Sequence, residues 1–170
     1  MRKRQRGFSL IELLIVVAII LIIAAIAVPN LLRSRMHVYE ASAVYSLKTL
    51  NTTAITYASV YGNGFPATLA AMGTPRGGAA AAATCDAALL IDDVLTTGTK
   101  SGYVFSYTMT NANTSAPPGC SAPGGNSYAI TATPLQVGTT GQRQFFTDQT
   151  GVIRYDASGA GAGPSSTPIQ

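Results

Sequence analysis

Apolar and polar residues are sorted by region along this chain, and the period of the pattern changes twice. From Phe8 to Val28 the chain is almost entirely apolar, with Glu12 the single ionisable residue. At ~1.5 Å rise per residue a helix of that length spans ~30 Å, the thickness of a bilayer core. After Pro29 the pattern turns amphipathic. Met36, Ala43, Leu47, Leu50, Ala54, Tyr57 and Tyr61 recur at intervals of three, four and seven, which is one face of a helix. Arg33, Arg35, Glu40, Lys48, Asn51 and Thr52 are interleaved off that stripe. The pattern predicts one helix from about Phe8 to about Tyr61, roughly 80 Å long by the rise per residue. Residues 8–28 form its transmembrane half and 29–61 its amphipathic half. Gly62-Asn63-Gly64 ends it, because these residues tolerate a left-handed backbone, and Pro66 prevents continuation.

The remainder predicts a head over 62–156. Phe65 to Met72 reads as a short helical turn. Thr74 to Thr84 is a Gly/Ala stretch without period, and Cys85 to Leu95 reads as a short helix with an apolar face and with Asp92 and Asp93 solvated. The period then becomes two. Tyr103–Met109 and Ser127–Thr133 read as strands, the second stopped by Pro134, with a polar loop from Asn111 to Asn126 between them. Arg143–Thr147 and Gly151–Tyr155 read as a hairpin around Asp148-Gln149-Thr150. The expected fold is α+β, a long N-terminal helix packed on a four-stranded antiparallel sheet. Residues 157–170 are rich in Gly, Ser and Pro and are expected to be a flexible tail.

Charge refines this picture. The chain has 170 residues and a net charge of +4. Arg2, Lys3, Arg4 and Arg6 supply the whole excess, and beyond them seven cations face seven acids. A basic flank before an apolar span predicts that the N-terminus is cytoplasmic and the remainder outside. Cys85 and Cys120 then lie where disulfides persist. A bridge closing that loop stabilises by ~3–4 kcal/mol; the other reading is two free buried thiols. Glu12 needs an explanation, since a carboxylate at mid-membrane costs ~2.5–3.5 kcal/mol on insertion scales.

The segment Arg6-Gly7-Phe8-Ser9-Leu10-Ile11-Glu12-Leu13-Leu14-Ile15-Val16 resembles the class III signal of type IV pilins and pseudopilins. The resemblance implies that residues 1–7 are a leader peptide, cut between Gly7 and Phe8 by a membrane-embedded aspartic prepilin peptidase. It also implies N-methylation of the new amino terminus on Phe8. In the family the acid at the position of Glu12 is taken to pair with the terminal amine of a neighbouring subunit during assembly. The pairing agrees with physics: a carboxylate in a low-dielectric bundle is tolerated when paired and is costly alone. The other reading is a Glu12 that snorkels to the headgroups. Pro29 stands where pilin helices commonly carry a proline, which implies a kink or local unwinding. Phe65-Pro66-Ala67-Thr68-Leu69 resembles the segment that follows the long helix in many pilin-like proteins.

No catalytic constellation is present: no G-x-S-x-G, P-loop or H-E-x-x-H. His37 reads as a surface or filament-interface residue and Asp148 as a turn residue. No metal, no cofactor and no enzymatic activity is expected. The reading is a structural subunit of a type IV pilus, held in the bacterial inner membrane and then polymerised into an extracellular helical filament. The resemblance implies as partners the prepilin peptidase and methyltransferase, an assembly ATPase, an inner-membrane platform and further copies of the chain. Two alternatives share its N-terminal half: a pseudopilin of a type II secretion system, and a minor tip pilin that binds DNA or a surface. The Gly/Ser-rich tail and the lack of an acidic calcium loop favour the pilus over the pseudopilus. Only Arg76, Lys100, Arg143 and Arg154 lie beyond the long helix, too few for a nucleic-acid patch.

Overall fold

The computed structural model describes residues 8–74 and 82–169. The leader, the Gly/Ala stretch at 75–81 and Gln170 lie outside the described residues. The chain forms two compact units, one running to Arg35 and one from Met36 onward.

Helix α1 runs from Leu10 to Tyr61 with Pro29 inside it. The proline has no N–H, so the carbonyl of Ala25 loses its helical partner there. From Leu10 to Val28 α1 is apolar on all sides but for Glu12, and it is exposed, with Leu10 at 79% and Ile22 at 63%. Gly62 ends the helix with φ +60°, and its N–H bonds the Ala58 carbonyl at 3.1 Å.

In the second unit, α2 (Leu69–Met72) is capped by the Thr68 hydroxyl, and α3 (Asp93–Thr96) by the Asp92 carboxylate. Six strands follow: β1 (Thr99–Lys100), β2 (Tyr103–Ala112), β3 (Gly125–Pro134), β4 (Gln144–Asp148), β5 (Arg154–Asp156) and β6 (Thr167–Pro168). They form one antiparallel sheet in sequence order. Alternation puts Tyr103 and Phe105 of β2 and Tyr128, Ile130 and Ala132 of β3 on one face. Leu47, Leu50, Ala54 and Tyr57 of α1 pack into the same core. Truncating Leu47 or Leu50, both wholly buried, costs ~2–5 kcal/mol.

The α+β arrangement of a long apolar helix and an antiparallel sheet stands, with six strands rather than the expected four. The additional β1 and β6 have two residues each, too few for a period to register. The stretch 157–170, expected as a flexible tail, carries β6, and Ile169 N donates to the Ile153 carbonyl at 2.8 Å. The expected helix over Cys85–Leu95 is helical only from Asp93. Upstream, the chain bonds to the end of α2 instead of to itself: Ala88 N to Ala71 O at 2.9 Å and Leu90 N to Met72 O at 2.8 Å. Leu89 adopts φ +56°, which no α-helix continues through. Asp92 and Asp93 are not merely solvated. Asp92 caps α3 and pairs with Lys100 at 2.6 Å, and Asp93 accepts from the Thr74 hydroxyl.

Two polar residues of α1 expected off the buried stripe are in it. Asn51 Nδ2 donates to Thr147 Oγ1 at 2.8 Å, and its Oδ1 accepts from Tyr128 OH at 3.1 Å. Glu40 is 4% exposed. Its Oε1 accepts from the backbone N–H groups of Gln142 (2.9 Å) and Arg143 (3.1 Å). Its Oε2 faces Arg143 Nε at 2.9 Å and Nη2 at 2.8 Å. The carboxylate thus fixes the start of β4 on the helix.

Burial alone would raise the Glu40 carboxyl, but the two amides and the Arg143 guanidinium outweigh it and hold it below the usual value. Such a group contributes stability that is complete above its unfolded pKa, ~4.3, and is lost as pH falls through the lower folded one. Glu40→Gln should destabilise the second unit by about 3 kcal/mol near neutral pH, the low end for a buried pair because Arg143 keeps some solvent. It should also flatten the loss of stability below about pH 4.3. Urea unfolding followed by circular dichroism across pH tests both; an unchanged acid limb contradicts this role for Glu40.

Candidate functional site

The segment that sequence singles out sits at the start of α1. Phe8 is 78% exposed. Ser9 stands before the first helical residue, and its carbonyl accepts from Leu13 N at 3.3 Å. Glu12 lies in the first turn, and its Oε2 accepts from Ser9 N at 3.1 Å. This is the return half of a capping box: an acid at the third helical position satisfies an amide that no helical carbonyl can reach. The carboxylate also sits at the positive end of the helix dipole. Ser9 is not among the residues that the motif resemblance marks for assembly, although Ser9-x-x-Glu12 is the local signal for this cap.

α1 holds a stretch of 18 residues with mean hydropathy 3.3, none of it buried. Length and composition suit a bilayer span, although a signal sequence meets the same test. The segment therefore presents a continuous apolar surface with one carboxylate at its N-terminal end. The second carboxylate oxygen, Oε1, has no partner among the described residues. Phe8 is joined to Gly7 by a peptide bond in this chain, so the amine that would pair with Glu12 exists only after a cut.

The other singled-out residues are dispersed. Gly7 lies outside the described residues. Pro29 is within α1 and His37 is exposed on it. Cys85 and Cys120 are joined, with Cα atoms 5.5 Å apart. The Cys85 carbonyl accepts from the Tyr57 hydroxyl at 2.7 Å, which ties the bridge to α1. Asp148 folds back on its own turn, accepting from Thr150 N at 2.9 Å. Among the described residues no three His, Cys, Asp or Glu side chains gather as a metal site.

Residues 2–28 match the family described as a prokaryotic N-terminal methylation motif. The chain is 53% identical over 49 residues to the type IV major pilin protein PilA of Myxococcus xanthus, covering 29% of this chain and 22% of that one. It is 61% identical over 33 residues to the type IV wide pilus major component PilA4 of Thermus thermophilus, covering 19% of this chain and 25% of that one. The matched segments thus span a quarter or less of those relatives. No solved structure matches the chain. The motif places the chain among proteins with a prokaryotic N-terminal methylation segment. Over that segment and the residues just after it, the chain is similar to these two type IV pilus components.

The Ser9–Glu12 bond needs an acceptor at residue 12, not a charge. Glu12→Gln should keep it and Glu12→Leu should lose it. Hydrogen exchange in detergent micelles should show the Ser9 amide protected in the parent chain and in Glu12→Gln, and faster in Glu12→Leu. Equal rates in all three contradict the cap.

Proposed function

We propose that this chain is a structural subunit of a type IV pilus that polymerises through its N-terminal helix after removal of residues 1–7. The observation that carries the reading is the exposed apolar segment of α1 with Glu12 at its head. Such a surface has two compatible surroundings: lipid, and other helices of its own kind. The chain anchors in the membrane with residues 8–28 and later exchanges lipid for sister helices. Residues 29–61 hold the head on the same helix. The role is structural rather than catalytic, and both relatives are named as pilus components.

Cutting between Gly7 and Phe8 creates an ammonium at Phe8, and methylation leaves it cationic. Oε1 of Glu12 can then take the Phe8 amine of a neighbouring subunit while Oε2 stays on Ser9. A paired carboxylate is tolerated in an apolar bundle where a lone one is not. The pair is satisfied at one axial stagger only, so it also sets the register between subunits. The prepilin peptidase, an assembly ATPase and a membrane platform are the partners this cycle requires.

The discriminating variant is again Glu12→Gln, which keeps the cap and removes the charge. Glu12→Gln and Glu12→Leu should both be inserted and cut at Gly7 yet yield no filaments. Electron microscopy of sheared surface material, with mass spectrometry of its subunit, reads this out. The parent should give filaments built of a chain that begins at methyl-Phe8. Normal filaments from Glu12→Gln would sink the pairing. A parent chain that appears in the envelope and in no filament would sink the pilus reading itself.

A further inference from the structure

Asn63 and Gly64 follow Gly62 at the end of α1. In an unconstrained chain such a pair cyclises, because glycine sets no Cβ in the way. The Gly64 backbone nitrogen loses its proton and attacks Asn63 Cγ, and ammonia leaves. Water then opens the succinimide to aspartate or isoaspartate. This fold holds the side chain away from that reaction. Asn63 is 3% exposed. Its Nδ2 donates to the Ala122 carbonyl at 3.2 Å, and its Oδ1 accepts from Gly124 N at 3.0 Å. Asn113 Nδ2 donates to the Asn63 carbonyl at 2.7 Å. Gly124 is required for the fit, since a Cβ there would lie 2.2 Å from the Asn63 carbonyl oxygen.

All of these partners belong to the segment between β2 and β3, and two adjacent links fasten that segment. One is the Cys85–Cys120 bond. The other joins the next residue of each cysteine. Ser121 donates to the Asp86 carboxylate from its N–H (3.0 and 3.2 Å) and its hydroxyl (2.7 Å). Those bonds hold the Asp86 carboxyl below the usual range.

We propose that Asn63 is a latent deamidation site, latched by the Cys120 segment and released when the Cys85–Cys120 bond is reduced. A dithiol reductant becomes a disulfide as each cysteine sulfur gains one electron and one proton. The loosened segment frees the Asn63 side chain, which cyclises as above. The new carboxylate can still accept from Gly124 but cannot donate to Ala122. A partly buried carbonyl then loses its partner, so a reversible reduction becomes a permanent change at the end of α1. Isoaspartate also adds a methylene to the main chain there.

The test uses the full chain in detergent micelles at mildly alkaline pH, with peptide mapping by mass spectrometry at residue 63. The oxidised chain should deamidate at least about tenfold more slowly than the urea-unfolded chain. Cys85→Ser/Cys120→Ser, shown by circular dichroism to keep its sheet, should approach the unfolded rate. If that variant loses the sheet, Asp86→Ala, which loosens the same segment with the disulfide intact, must deamidate at least about twofold faster than the parent. Asn63→Asp should speed hydrogen exchange at the Asn113 and Gly124 amides. Equal rates in the oxidised and unfolded chains overturn the proposal. So do a folded double variant as slow as the parent, an unchanged rate in Asp86→Ala where it is needed, and unchanged exchange in Asn63→Asp.

Discussion

A helix can carry a polar group out of water only where a partner is built to meet it, and α1 obeys this along its length. Glu12 meets the Ser9 amide at the point where the helix lacks carbonyl acceptors. Glu40 meets two amides and a guanidinium. Asn51 meets Thr147 on one side and Tyr128 on the other. Among the described residues no buried side-chain nitrogen or oxygen is unpaired. These partners determine where strands attach. Glu40 fixes the start of β4, and Asn51 fixes its far end together with β3. Apolar packing supplies most of the driving force, but it is tolerant of sliding. The polar contacts give the helix and sheet one register.

The same logic extends to the irregular segments. Buried and partly buried phenols reach backbone carbonyls that no ladder satisfies. Tyr57 reaches Cys85, Tyr107 reaches Pro66 and Tyr103 reaches Arg143. Each phenol is a donor here, so burial stabilises its protonated form and raises its pKa; Tyr128 is pushed up to about 12. None of these tyrosines ionises at ordinary pH, and the latches they form are insensitive to it. Acid sensitivity instead falls on the carboxylates, of which Glu40 is the most buried.

What could be read from sequence follows the length of each signal. The apolar segment, the end of α1 at Tyr61, and the long strands β2 and β3 have patterns many residues long, and they stand within a few residues of expectation. The two-residue strands have no pattern to read. The stretch from Cys85 to Leu90 has helical apolar spacing, yet its amides from Ala88 to Leu90 bond to the end of α2 instead. Residue type alone sets Glu40 and Asn51 off the buried stripe. Glu40 lies three residues before Ala43 and Asn51 four after Leu47, which is the buried spacing itself. Their partners, Arg143 and Thr147, are about a hundred residues away in sequence, and no local pattern carries such a pairing. At the candidate site the acid was legible and its cap was overlooked, although Ser9-x-x-Glu12 is a local signal.

The sheet bears on which surface is left for assembly. An open edge strand is a template for pairing with another chain. Here the outermost strands β1 and β6 are two residues long, and β1 covers only Tyr103 and Val104 of β2, leaving the outer side of β2 without a strand from Ser106 to Ala112. At one, Lys100 of β1 is held by Asp92. At the other, Pro168 of β6 has no N–H to offer. Strand addition onto β1 or β6 therefore gains few hydrogen bonds. The extended apolar surface that remains is the first stretch of α1, continuous over several turns and interrupted by one carboxylate. In the proposed filament self-association falls to this first stretch, in which Glu12 is the one charge up to Val28 and asks for a partner.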